Sequence, residues 1–389
     1  MSVVPRRVSP ARAGASLRGF GATVLYVFCT QPCLNSLNIG MPPFALRHHY
    51  GWASELKLAR ARLNFSDAAI RAHSAAPEAA LLHQANVSVA ALAEAFRQAV
   101  QLGYPYSAVT IADDAQHCLL DNFVTQLCRM SGRQFPLVVV CIDLRVYALC
   151  QSLQRSGTAA SLGNAAGSPL PLFCVPVQGA GAPRARDGHF GRSETKGGGS
   201  AIGRGGLRRT QERWYADLVW LKPALMWLGV ALGLSIIWSD LDVLHVQSPL
   251  PAFRWDADAA SMEWICETGQ PNMASTGFGI VHPSGLAAAA EWARMRGVVY
   301  DRSHASYAKY NEQGALWLLN ERARPRMQLY KCLPKDMFLS GCGWRIQPWR
   351  LTERHYWSLH FSCLRDKRRS MRQAGLWRPS RPGCAAGEV

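Results

Sequence analysis

The spacing of apolar positions changes several times along the chain, and each change marks an element. Residues 53–101 are Ala-rich, with apolar positions three and four apart as in "VSVAALAEAFRQAVQLG", which predicts helix. From Tyr104 short apolar runs alternate with amphipathic ones. "YSAVTIADD" reads as a strand ending in acids, and "HCLLDNFVTQLCRMSG" as a helix closed by Gly132. "FPLVVVCIDL" reads as a strand apolar on both faces, and "YALCQSLQRSG" as the next helix. This order predicts an α/β domain: a Rossmann-type, doubly wound, mostly parallel sheet with helices on both faces.

The rhythm stops over residues 178–210, "QGAGAPRARDGHFGRSETKGGGSAIGRGGLRR" and the residue after it. Gly and Arg dominate there, and such a stretch cannot bury enough apolar surface to offset the entropy of ordering it. A disordered insertion is expected. A helix follows, "TQERWYADLVWLKPALMWLGVALG", and then the strand of "LGLSIIWSDLDVLHVQSPLP". Leu218–Trp238 is apolar enough to suggest a membrane span. Lys222 and Pro223 interrupt it near one end, leaving too few residues to cross about 30 Å of hydrocarbon. Gly229 and Gly233 are expected to divide helix from strand, as in a soluble α–β unit.

Composition adds a large core and a positive charge. Of 389 residues 49% are hydrophobic, which excludes global disorder. The formal charge of +17 could serve nucleic acid, anionic membrane or phosphate ligands, but much of it lies in the N-terminus, the Gly/Arg insert and the tail from Arg365. No basic helix with interleaved aromatics stands out, so nucleic acid is not the expected partner. The 12 cysteines form no CxxC pair, so no zinc site can be read and any disulfide pattern stays open. The first acidic residue is Glu55, after a basic start and a short apolar run, Phe20–Thr30. A signal anchor or signal peptide, an organellar transit peptide and an unstructured start all fit this segment. Two N-x-S sequons, Asn64-Phe65-Ser66 and Asn86-Val87-Ser88, favour the secretory route. The chain thus divides into a targeting segment (1–50), a helical stem (51–103) whose helix could equally be the domain's first, the sheet domain (104–378) and a tail (379–389).

Asp240 and Asp242 are the chemically telling pair. On a strand, alternation would turn both to one side and Leu241 and Val243 to the other. Two carboxylates this close repel, so one keeps a proton unless a cation lies between them. Ligands of open α/β sheets gather beyond the carboxyl ends of the strands, where this pair falls. A hard divalent ion, Mn²⁺ or Mg²⁺, with substrate phosphates would satisfy both acids. A solvated strand end with two acids is the plainer alternative.

The order of "SDLDVLHVQSPLP", "NMASTGFGIVHPSG", "NEQGALWLLN", "LPKDMFLSG" and "HYWSLHFSCLRDKRRSMRQAGLW" resembles the nucleotide-diphospho-sugar transferase family of plants and algae, glycosyltransferase family 77 in outline, over about 104–377 outside the insert. Its D-x-D-V and proline-bearing turn fall on Asp240, Asp242 and Pro249. Its small-Gly-Phe block falls on Thr276, Gly277 and Phe278, its acid-Gln block on Glu312 and Gln313 with Asn320, and its closing block on His360, Lys367, Leu376 and Trp377. The chain departs from the pattern at Ser275 (Asn expected, with Asn272 nearby), at Glu312 (Asp expected) and at Ser362 (Asn expected).

The resemblance implies a GT-A-type fold and transfer of a sugar from a nucleotide-diphosphate sugar, UDP-linked for preference, with retention of configuration. The implied acceptor is a glycan or glycoprotein, such as a wall polysaccharide or hydroxyproline-rich glycoprotein. The implied setting is the Golgi, as a lumenal protein or a single-pass type II membrane protein held through the N-terminal segment. Asp242 would ligate the metal, Asp240 the metal or the donor ribose, and His360 would be the third ligand; a buried structural histidine is the other reading of His360. Lys367 would meet the diphosphate, or else lie in a solvated basic run. Lys222 would reach the donor or snorkel. Thr110, Asp113 and Asp114 would meet the uridine or form a solvated loop. Glu312 and Gln313 are the candidates beside the sugar. Two other functions share these motifs: a nucleotide-sugar-binding protein without turnover, and a haloacid-dehalogenase-like phosphatase with the first aspartate as nucleophile.

Overall fold

The computed structural model describes residues 63–129, 136–155, 170–178, 218–255, 261–267, 273–300, 311–323, 328–340, 356–362 and 366–385. The expected targeting segment, nearly all of the Gly/Arg insert, Gly132 and Asn272 lie outside them. The central sheet contains β1 (Tyr106–Ala112), β2 (Leu137–Cys141), β3 (Leu172–Pro176), β4 (Ser235–Ser239), β6 (Met262–Cys266), β7 (Ala274–Val281) and β8 (Lys331–Cys332), in the order β3-β2-β1-β4-β7-β6-β8. The pairs β1–β2, β2–β3, β1–β4 and β6–β8 are parallel, and β7 runs antiparallel to both β4 and β6. A smaller sheet has the order β5 (Val243–His245), β10 (Ser358–His360), β9 (Phe338–Ser340).

Alternation along the strands builds one core on each face of the large sheet. On one face Val109, Ile111, Val138, Val140, Ile236 and Trp238 pack with the helices α3 (Val89–Gln101), α6 (Leu221–Ala231), α7 (Leu286–Tyr300) and α8 (Glu312–Ala323). On the other, Tyr106, Ala108, Val139, Ile237, Phe278 and Ile280 pack with α4 (His117–Arg129), α5 (Leu144–Arg155) and Phe338 of the small sheet. The expected doubly wound α/β architecture is therefore present.

The Ala-rich stretch, read as a helical stem or as the domain's first helix, contains the helices α1 (Asp67–Ser74), α2 (Ala80–Gln84) and α3, and it buries Leu82, Leu92 and Phe96 fully in the main core, where this face closes the sheet. Gly229 does not divide helix from strand. It sits inside α6, where a Cβ would collide with the Ile236 side chain, and the break falls at Gly233, with φ of 94°. Residues 379–385 are not a loose tail. Arg381 N–H donates to Asp121, Ser380 donates its hydroxyl to the same carboxylate, and Cys384 in α10 (Pro382–Ala385) is disulfide-bonded to Cys118 at the start of α4. Two further disulfides tie α5 to β3 (Cys150–Cys174) and β6 to β8 (Cys266–Cys332).

His245 is wedged between the two sheets. Its Nδ1 lies 2.7 Å from Ser358 Oγ, its ring lies 4.8 Å from that of Phe278, and burial pushes its pKa down to about 3. An unfolded imidazole takes its proton near 6.5, so between the two values the unfolded chain holds more protons, and stability falls as pH falls. This histidine alone is expected to remove about 2 kcal/mol between neutral pH and about pH 5. Urea denaturation at the two pH values, for wild type and His245→Gln, measures it; equal pH dependence in both proteins would reject the assignment. Loss of the chain-closing bridge in Cys118→Ala/Cys384→Ala is expected to cost about 2–4 kcal/mol. Denaturation midpoints measured without reductant check this.

Candidate active site

The chain order β1, β2, β3 runs outward in one direction, and β4 then returns to the other side of β1. That reversal opens a crevice beyond the carboxyl ends of β1 and β4, where ligands of open α/β sheets bind. Asp113 follows β1 and Asp240 follows β4, so both acids stand at this crevice.

The acid pair is held by a turn, not by strand alternation. β4 ends at Ser239, and Val243 N–H donates to Asp240 C=O at 3.0 Å, so residues 240–243 reverse direction. Asp240 N–H donates to Gly277 C=O of β7 at 2.7 Å, which pins the start of the turn. Its end is pinned by β5, which pairs antiparallel with β10 and sets Val243 opposite His360. Phe361 N–H then donates to Asp242 C=O at 2.9 Å. The result agrees with the expected pairing of the carboxylates, but the backbone reason differs.

His360 is the third member. Its Nε2 lies 3.5 Å from Asp242 Oδ1 and 3.9 Å from Asp240 Oδ2. Its Nδ1 lies 3.2 Å from Ser275 Oγ. The ring packs against β7 at Gly277, where any Cβ would overlap it, so glycine is required there for close approach. Ser275, one of the departures from the family pattern, thus fixes the histidine ring. Ser340 Oγ lies 3.4 Å from Ser275 Oγ and 3.3 Å from Ser362 Oγ, a second departure, and it contacts Glu267 Oε2 at 3.3 Å.

Cations surround the acids. Lys367, at the start of α9 (Lys367–Gln373), places Nζ 2.7 Å from Asp242 Oδ2. Burial opposes the charge on Asp242, but the imidazole of His360 and the Lys367 ammonium outweigh it and hold that carboxyl well below the usual range. Burial raises Asp240 above its ordinary value against the pull of Lys222, and the charge on Asp242 adds to the rise. Trp238 Nε1 donates to Asp240 Oδ1 at 2.6 Å.

Lys222 is the buried hub. α6 buries every residue from Leu221 to Val230, and Lys222 is the one charged group among them. Its ammonium donates to Thr276 C=O at 2.8 Å and to Glu312 Oε1 at 3.0 Å, lies 3.5 Å from Asp240 Oδ1, and stands 5.0 Å over the Trp238 ring. Glu312 also accepts from the Thr276 hydroxyl at 3.0 Å. It is locked into this network at the first turn of α8. Gln313 accepts from Thr276 N–H at 3.2 Å, and its Nε2 lies 3.5 Å from Glu267 Oε1.

The structure therefore brings together Asp240, Asp242, His360, Lys367, Lys222, Glu312 and Gln313. The three residues expected at the uridine stand apart from that network. Thr110 lies inside β1, fully buried, two residues short of the strand end. Asp113 caps the turn after β1 by accepting from Gln116 N–H at 3.0 Å, and burial pushes its carboxyl up to about 6. Asp114 pairs with Arg145 at 3.0 Å. Sequence reasoning missed Trp238, Glu267 and Ser340. Trp238 was within reach, two residues before Asp240 in "IIWSDLD"; the other two carry no local signal.

The donor set fits a hard divalent cation. One nitrogen and two carboxylate oxygens lie within 4.8 Å of one another. Both histidine–carboxylate distances are below the about 4.2 Å that separates trans ligands on an ion with bonds of about 2.1 Å. Asp240, Asp242 and Glu312 face two lysines, so three carboxyl groups converge on two fixed positive charges.

No protein-family model and no curated protein matches the sequence. Solved structures with a similar course include the galactosyltransferase LgtC in complex with donor and acceptor sugar analogs, at 12% identity over 69% of this chain and 95% of that one, TM-score 0.39. Mouse xyloside xylosyltransferase 1 matches at 12% identity over 66% and 98%, TM-score 0.36. The glycosyltransferase GlyE of Streptococcus pneumoniae TIGR4 matches at 8% identity over 59% and 45%, TM-score 0.34.

Lys222→Met should strand Glu312 in the interior and cost about 3–5 kcal/mol, with part of the loss recovered in Lys222→Met/Glu312→Gln. Urea denaturation of the three proteins reads this directly. A Lys222→Met variant as stable as wild type would show that the hub is not needed to hold Glu312.

Proposed function

We propose that the chain is a metal-dependent glycosyltransferase of the family 77 kind, moving a sugar from a nucleotide-diphosphate sugar, UDP-linked for preference, to a hydroxyl of a glycan or glycoprotein. The observation that carries this reading is the convergence of Asp240, Asp242 and His360 at the sheet's reversal crevice, with Lys367 on the outer side of Asp242.

Asp240, Asp242 and His360 would hold a Mn²⁺ or Mg²⁺ ion, which when bound supplies positive charge beside the departing diphosphate. Lys367 is two-fifths exposed at its side chain. It can turn from Asp242 to a phosphate oxygen and add a second positive charge where negative charge develops. Lys222 stays buried and keeps Asp240 oriented. Trp238 and Ser275 fix the rotamers of Asp240 and His360, so the ligand atoms need little rearrangement on binding. Gln313, with its amide between Thr276 and Glu267, is placed to meet the sugar. Glu312 acts through Lys222, as a positioning residue. Asp113 at the end of β1 remains the candidate for the nucleoside, beside Asp114 and the buried Thr110. Transfer with retention follows from the family resemblance.

The three disulfides support maturation in an oxidising compartment. That accords with a Golgi protein of lumenal or type II membrane form, its anchor lying in the N-terminal segment. Among the described residues no helix is long and apolar enough to cross a membrane.

A second reading, nucleotide-sugar binding without turnover, draws on Glu312, which is engaged by Lys222 and Thr276. Release of UDP from a panel of UDP-sugars, with Mn²⁺ and with EDTA, separates the possibilities. Mn²⁺-dependent release supports the transferase, UDP affinity without release supports the binding protein, and phosphate release from generic phosphoesters would point to the phosphatase. Asp242→Asn should lower Mn²⁺-dependent release about 100-fold or more, with the folded state intact by circular dichroism. Wild-type turnover in that variant would sink the site assignment.

A further inference from the structure

Two surface asparagines lie outside the site and share one local design. In Asn64-Phe65-Ser66 the serine is the N-cap of α1, its Oγ accepting from Ala69 N–H at 3.2 Å. In Asn86-Val87-Ser88 the serine is the N-cap of α3, its Oγ accepting from Ala91 N–H at 3.2 Å. Both asparagines are exposed. Asn64 Oδ1 accepts from the backbone N–H of Ser66 at 3.3 Å and from its hydroxyl at 2.8 Å, so the amide oxygen is engaged. Asn86 stands at the turn before α3 with φ of 57°, a left-handed conformation that asparagine tolerates. Among the described residues, neither side-chain nitrogen donates a hydrogen bond to protein.

We propose that Asn64 and Asn86 are both N-glycosylated. Three observations converge: each asparagine heads an N-x-S sequon, each is exposed at a chain turn, and the domain carries three disulfides that form where N-glycans are added. In the transfer, catalysed by the secretory oligosaccharyltransferase, Nδ2 forms a bond to C1 of a lipid-pyrophosphate-linked oligosaccharide. The C1–oxygen bond breaks, the lipid pyrophosphate leaves with the electron pair, and the Nδ2 proton passes to the enzyme's base. The asparagine Oδ1 is not consumed, so the turn at Asn64 survives modification.

The folded chain leaves both asparagines exposed and places neither within the acid-pair network. Asn64 N–H donates to the carbonyl of Leu232, which caps α6 just before β4 begins, so Asn64 stands near the amino-terminal end of β4, the end away from Asp240. Asn86 C=O accepts from Gln178 N–H at 2.7 Å, and Val87 bridges Val177 just past β3. β3 is the outermost strand, three positions from β4, which is about 14 Å of sheet.

The inference stands apart from the transferase reading and is tested by mass alone. The full chain is expressed in human secretory cells and treated with peptide N-glycosidase in heavy-oxygen water. Two glycosidase-sensitive mobility steps are expected, with Asn64 and Asn86 converted to labelled aspartate. Asn64→Asp and Asn86→Asp should each lose one step, and Ser66→Thr and Ser88→Thr should keep both. A chain with no sensitive mass at either asparagine, or one that never enters the pathway, overturns the proposal. Modification at one asparagine alone overturns it for the other.

Discussion

Two carboxylates, Asp240 and Asp242, cannot share a corner of a protein interior at no cost, and much of the surrounding structure answers that repulsion. A tight turn brings them together, β10 sets an imidazole between them, and a lysine flanks each. The answer is unequal. Asp242 is held ionised by His360 and Lys367, whereas Asp240 is pushed toward its protonated form by burial and by its neighbour's charge. Such an imbalance is what a cation would remove, since it satisfies both acids at once.

Lys222 is the long-range part of that answer. A helix as apolar as α6 would ordinarily contain no charge, and here the single one faces the site and joins Asp240, Thr276 and Glu312. Because its partners sit on three separate elements, the network couples the packing of α6 and α8 to the orientation of a candidate metal ligand. Lys222, expected to snorkel or to reach the donor, is buried beside Asp240, and the acid-Gln pair splits its work. Glu312 balances the lysine, and Gln313 faces Glu267.

The fold was legible in sequence wherever burial shows as periodicity. The both-faced apolar runs around Val109 and Val139 announced parallel strands, and the amphipathic run at Leu120–Leu127 announced the helix between them. The acid pair and His360 were legible through motif order. What stayed hidden depends on contacts far apart in the chain. Nothing near Ser340 or Glu267 marks them as neighbours of Ser275, since they meet only after β6, β7 and β9 are assembled. The disulfide pairs were equally unreadable, with Cys118 and Cys384 separated by 266 residues. The helices of 63–101 left two readings open, a stem or the domain's first helix, because an Ala-rich amphipathic face looks alike whether it covers a sheet or stands away from one.

The site is stitched from two stretches that lie far apart in the polypeptide, 240–242 and 360–367. Asp240 and Asp242 are made early, but His360 lies on a strand that pairs with β5 only once residue 360 is available, and Lys367 follows it. Beyond both, Cys384 must still find Cys118. A nascent chain emerging residue by residue therefore carries the two acids without their imidazole and ammonium partners until residues 360 and 367 have followed, so a copy cut after Ser340 would keep every strand of the large sheet and lack His360 and Lys367.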